Sequence, residues 1–185
     1  MYFKFFPNLL SLSRIVITPF IAFFIFKNTF AAKLISLILF FIGALTDFLD
    51  GYIARRYKFK TNLGTYLDPL ADKILILVTF CLISYVYPEK IKIWMITVMF
   101  LRDVIITFYR KYLISINTTL NTSKYAKFKT LFQILVIHIV LFLHVFNPQY
   151  IILYNHVYLL VLLCTLFSIL TAIHYFWINL YKNVR

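Results

Sequence analysis

Apolar residues fill the chain in six stretches, each near the roughly 20 residues a helix needs to cross a hydrocarbon core. They cover about residues 9–26, 33 into the segment that begins at Asp47, on to about 87, then 91–112, 131–146 and 150–181. Pro88-Glu89-Lys90 and Asn147-Pro148-Gln149 are tight turns, while residues 56–62 and 115–129 are polar, basic connectors. After the first connector, a helix starts either with Asp68 as N-cap and Pro69 in its first turn, or earlier with a kink at Pro69. Residues 1–8 mix Phe3, Phe5 and Phe6 with Lys4 ahead of Pro7, which suits a short interfacial segment broken at the proline. No small-residue cleavage site follows promptly, so a cleaved signal peptide is not expected. The pattern predicts an all-α, polytopic membrane helix bundle: six transmembrane helices after a short N-terminal interfacial segment, in a single domain spanning 1–185 without internal repeats.

Composition agrees. Of the 185 residues 63% are hydrophobic, whereas soluble domains are about half apolar. The net charge of +13 does not point to nucleic acid, because the basic residues lie between apolar spans instead of forming a basic domain. A lipid bilayer with anionic headgroups and phosphorylated substrates are the partners it fits. Six spans put Lys27, Lys33, Lys90 and Lys92 on one side and the other fifteen of the nineteen Lys and Arg on the opposite side. By the positive-inside rule that richer side is cytoplasmic, and the protein is placed in the cell (inner) membrane. Cys81 and Cys164 sit in apolar runs without paired spacing and read as small buried hydrophobes. His138, His144, His156 and His174 lack ligand spacing and read as residues at span ends or in packed interiors. The many Tyr and Phe suit lipid contact and interfacial anchoring.

Only six residues are acidic, and four of them, Asp47, Asp50, Asp68 and Asp72, fall within one short stretch. On a helix Asp47, Asp50, Gly51 and Ala54 share a stripe, and Asp68 and Asp72 are one turn apart. An Asp at mid-membrane costs about 2.5–3.5 kcal/mol, so four belong at an interface or in a wet cavity. Converging carboxylates need cations, and an all-oxygen set without His or Cys selects one or two hard ions such as Mg2+ or Mn2+. Gly51 and Ala54 leave the helix surface bare where a diphosphate could approach, and Arg55 and Arg56 supply cations for phosphate.

With its eight fixed positions Asp47, Asp50, Gly51, Ala54, Arg55, Gly64, Asp68 and Asp72, the segment resembles the signature of the CDP-alcohol phosphatidyltransferase family, membrane enzymes that displace CMP from a CDP-linked alcohol. The resemblance implies that Asp47, Asp50, Asp68 and Asp72 hold two Mg2+ or Mn2+ ions, with Asp72 also accepting the acceptor's proton. It implies that Gly51, Ala54, Arg55, Thr61 and Gly64 contact the CDP-lipid. Asn8, Ser11 and Arg14 share a face at the start of the first span, and Pro7-Asn8-x-x-Ser11-x-x-Arg14 is similar to the opening of those family members that make phosphatidylglycerophosphate, where residues face the nucleotide pocket. Asn8 and Ser11 are therefore expected at the CDP-lipid; on side-chain chemistry alone this face equally serves capping and snorkelling.

The acceptor side rests on two further stretches. Leu101-Arg102-Asp103 with Arg110, and Ser123-Lys124-Tyr125-Ala126-Lys127-Phe128-Lys129-Thr130-Leu131-Phe132-Gln133, resemble segments of the same members, although Ala126 replaces a common glycine. The resemblance implies that Arg102, Arg110, Lys127 and Lys129 bind the acceptor's phosphate, that CDP-diacylglycerol and sn-glycerol 3-phosphate are the substrates, and that the protein is a homodimer. Inositol phosphate, serine or another polyol is the alternative acceptor. Lys and Arg at these positions also suit topology and anionic headgroups, whereas an Arg102-Asp103 pair inside an apolar span is costly enough to mark function. From another class, a multi-pass transporter also carries membrane carboxylates, but those are expected at broken helices near mid-membrane and not at one edge.

Overall fold

A computed structural model describes residues 6–57, 62–116 and 124–183, with side chains described at 9–47, 70–116, 125 and 127–179. The described chain is helical throughout: α1 (Phe6–Ile25), α2 (Phe30–Tyr57), α3 (Asn62–Val86), α4 (Ile93–Ser115), α5 (Lys124–Phe146), α6 (Pro148–Leu153) and α7 (His156–Asn183). Three carry windows long and apolar enough to cross a membrane, Phe30–Asp47, Lys127–Phe146 and His156–Asn179, and Leu9–Ile25 is a shorter apolar helix.

Helices α1 and α7 enclose more polar side chains than a soluble bundle would. On α1 the buried stripe is Ser11, Arg14, Thr18, Ile21 and Ile25, while Leu9, Leu12, Val16, Phe20 and Phe23 face outward. Both sets advance by three and four residues, so the enclosed face is polar in its first half and apolar in its second, and the exposed face is apolar throughout. Helix α7 also encloses Thr165, Ser168, Thr171 and Asn179 and exposes Leu163, Leu166, Leu170 and Trp177. Lipid is as apolar as leucine, so small and hydrogen-bonding side chains, not large apolar ones, distinguish the helix-facing side.

Helix α1 packs along α2 and α3, α4 and α5 both pack on α7, and α2–α5, α3–α4 and α3–α5 contacts join these two halves. Phe40, Phe80, Ile83, Met95, Met99, Ile137 and Leu141 form the shared core. Gly43 of α2 lies where a Cβ would stand 2.9 Å from Cδ2 of Leu75, so its missing side chain permits the close approach of α2 and α3. That approach lies one turn from Asp47 and three residues from Asp72.

Several boundaries differ from the sequence expectation. Helix α1 begins at Phe6, so Pro7 opens the helix instead of breaking an interfacial segment; residues 1–5 lie outside the described residues. Of the two starts left open for α3, the earlier one holds: it begins at Asn62, and Asp68 is not its N-cap. Helix α5 starts at Lys124, within the stretch read as a connector, because the lysines, Ala126 and Thr130 contain no breaker and extend the helix past its apolar run. The last stretch is two helices: Asn147 caps α6 by accepting from the Tyr150 N–H at 3.2 Å, Tyr154 turns extended, and α7 starts at His156. Cys81 is exposed, not buried, whereas Cys164 is buried as expected.

Candidate active site

Arg14 organises the carboxylate half. Its side chain is fully enclosed, and Nη1 donates to Oδ1 of Asp47 at 2.7 Å and to Oδ1 of Asp72, drawing α1, α2 and α3 onto one guanidinium. Nη2 also reaches Oγ of Ser11 at 3.4 Å. The two carboxylates are about a third exposed, at 33% and 30%, while Arg14 is at 0%, so the acids present oxygen to the outside and the cation backs them from within. A planar fork with several donors suits two acids at once in a way a lysine cannot match. Asn8, Asp50, Gly51, Ala54 and Arg55 lie on α1 and α2, and Gly64 and Asp68 on α3, with side chains outside the described residues; Thr61 is outside them altogether.

A second charged cluster joins α4, α5 and α7. Asp103 accepts from Nζ of Lys129 on both oxygens at 2.7 Å and from Nη1 of Arg102 at 2.9 Å. Arg102 continues through Nε to the Ser168 carbonyl at 3.1 Å and through Nη2 to Oγ1 of Thr171 at 2.9 Å. All three charged side chains are nearly enclosed, so they are paired because an unpaired charge there would be costly. Arg110 is exposed, with its guanidinium carbon 6.0 Å from the Tyr175 ring centre, and Lys127 is exposed two residues before Lys129 on α5. Lys73, directly after Asp72, crosses to α4 and donates to Oγ1 of Thr107 at 2.7 Å. The cationic cluster therefore stands at the same end of the bundle as the carboxylates.

Asp47 and Asp72 arrive from different helices at Arg14 and are about a third exposed; these two alone do not complete a metal site, and among the described residues no group of three or more candidate ligands forms. Carboxylate oxygen is the donor such ions prefer. Of the expected residues, Ser11, Asp47 and Asp72 come together through Arg14, and Arg102 and Lys129 through Asp103. The Arg102-Asp103 pair was singled out in the sequence, whereas Arg14 as the hub, Lys73, Thr107, Ser168 and Thr171 were not. The available signals were the 8, 11, 14 spacing on α1, the lysine immediately after Asp72, and Ser168 and Thr171 one turn apart in an apolar run.

Comparison with known proteins identifies the family. A protein of Aquifex aeolicus named CDP-diacylglycerol--glycerol-3-phosphate 3-phosphatidyltransferase is 37% identical over 146 residues, covering 78% of this chain and 79% of its own. Similar proteins of the same name from Wigglesworthia glossinidia brevipalpis and Rickettsia typhi are both 32% identical, over 96% and 73% of this chain and 97% and 75% of theirs. Residues 4–170 match the CDP-alcohol phosphatidyltransferase family, so the helices that carry Arg14, the aspartates and the Arg102–Asp103–Lys129 cluster all lie within the match, and the chain belongs to that family.

Proposed function

We propose that the protein makes phosphatidylglycerophosphate and CMP from CDP-diacylglycerol and sn-glycerol 3-phosphate, as a homodimer in the inner membrane with its active site facing the cytoplasm. The observation that carries this reading is the pairing of an outward-facing Asp47–Asp72 edge with a cation-rich cluster at the same end of the bundle. The first suits a nucleotide diphosphate with its ions, and the second suits an acceptor that bears a phosphate. The names of the relatives support the same pair of substrates.

In this reading Asp47, Asp50, Asp68 and Asp72 hold Mg2+ or Mn2+, which offsets negative charge on the phosphoryl oxygens and on the departing CMP. Asn8, Ser11, Gly51, Ala54, Arg55, Thr61 and Gly64 orient the CDP-lipid. Arg14 keeps Asp47 and Asp72 at a fixed separation from below. Arg102, Arg110, Lys127 and Lys129 supply the positive field that draws in the acceptor's phosphate and places its hydroxyl at the lipid-side phosphorus. As the hydroxyl oxygen bonds to that phosphorus, the bond to the CMP oxygen breaks, and Asp72 takes the hydroxyl proton. Such proton acceptance is worth about 10^2 to 10^4 in rate.

The test is CMP release by purified protein from labelled CDP-diacylglycerol with a panel of acceptors. Glycerol 3-phosphate is expected to be preferred. A preference for inositol phosphate, serine or another polyol would move the protein to another member activity, and CMP release with no acceptor specificity would remove the role given to the cationic cluster.

A further inference from the structure

The four cations expected at the acceptor differ in what they have left to offer. Nε, Nη1 and Nη2 of Arg102 are all engaged, by the Ser168 carbonyl, Asp103 and Thr171. Lys129 is 4% exposed and spans both oxygens of Asp103. These two tie α4 to α7 and to α5. A fifth cation, Lys73, holds a different position. It is half-buried, it follows Asp72 directly on α3, and its hydrogen bond to Thr107 is to a neutral hydroxyl whose own proton goes to the Asp103 carbonyl at 2.6 Å. It also lies within electrostatic reach of Asp103, Arg110 and Arg102. This hydrogen bond joins α3 to α4 at the site end of the bundle, and from there an apolar groove of about 820 Å³ runs between the two helices from Leu70 and Val104 to Tyr85 and Ile93 at the other end.

We propose that Lys73 is a specificity-determining residue for the acceptor: its ammonium leaves Thr107 to bind the acceptor's phosphate, between the carboxylate half of the site and the cationic half. A lysine suits this task because it is a point charge on a flexible stem, free to exchange a neutral partner for an anionic one. The exchange is favourable because the ammonium trades a dipolar hydroxyl for a phosphate anion and gains the direct attraction between opposite charges. Its place in the chain couples the two events of the reaction, since the backbone that carries the phosphate-binding cation carries the proton acceptor one residue earlier. The inference rests on the phosphorylated-acceptor reading above.

The experiment is steady-state kinetics on the full-length protein and on Lys73→Gln, Lys73→Arg and Thr107→Val, with glycerol 3-phosphate and CDP-diacylglycerol each varied. Lys73→Gln is expected to raise KM for glycerol 3-phosphate about 10- to 100-fold, the range for losing a charged hydrogen bond, with KM for CDP-diacylglycerol unchanged. Lys73→Arg restores most of the loss. Thr107→Val removes the resting partner and lowers KM for glycerol 3-phosphate, an effect opposite to that of breaking a structural link. Equal shifts in both KM values for Lys73→Gln, or a raised acceptor KM for Thr107→Val, overturn the proposal; should Lys73→Gln not insert, Thr107→Val decides alone. An unaltered protein that releases no CMP with any phosphorylated acceptor brings down the parent reading, whereas an active one with an unshifted KM in Lys73→Gln removes only Lys73.

Discussion

At the scale of single residues the site turns on two ion clusters, and both were only half legible in the sequence. The aspartates announce themselves by clustering in a chain with so few acids, and Ser11 and Arg14 share a face by spacing alone. What spacing does not show is that Arg14 meets partners 33 and 58 positions away, because those contacts depend on which faces of α1, α2 and α3 adjoin. Arg14→Gln is expected to lower the rate of CMP release about 10- to 100-fold, since it removes charged hydrogen bonds to two carboxylates at once. Arg14→Lys, which keeps the charge but not the fork, recovers little of it, as rate measurements on the two variants would show. Asp103→Asn leaves Arg102 and Lys129 nearly enclosed beside a neutral amide, and a loss of about 3 kcal/mol is expected as a lowered unfolding midpoint in detergent.

At the scale of elements, helix existence was readable and helix ends were not. Apolar runs of membrane length forecast the long helices, but the charged starts of α3 and α5 lie outside those runs, and nothing apolar marks where they begin. The break between α6 and α7 has a local cause that composition hides: an extended Tyr154 ends α6 and interrupts residues that are apolar on both sides. Gly43 matters for the opposite reason, as an absence that lets Leu75 approach. Gly43→Ala meets only the flexible end of Leu75 and is expected to stay near native activity. Gly43→Leu adds bulk that Leu75 cannot yield to, forces α2 from α3 and separates Asp47 from Asp72. Its CMP release is expected to fall at least about tenfold while the protein still inserts, and equal activity in both variants would show that this approach does not set the site.

At the scale of the molecule, the two halves divide the work, with carboxylates on α2 and α3 and the cationic cluster on α4, α5 and α7. The positive-inside reading of the chain predicts that a cysteine at Lys127 is shielded from an impermeant maleimide in intact spheroplasts and that one at Lys90 is labelled, in a protein with Cys81 and Cys164 replaced; the reverse pattern would invert the orientation. The central claim is that the aspartates gathered by Arg14 carry the transfer with a divalent ion. It is tested most directly by CMP release from CDP-diacylglycerol and glycerol 3-phosphate, with and without chelator, in the native protein and in correctly inserted Asp72→Asn. The account predicts that chelation abolishes turnover, that Mg2+ or Mn2+ restores it, and that Asp72→Asn is slower by about 10^2 or more. Native turnover by Asp72→Asn with chelator present would contradict it.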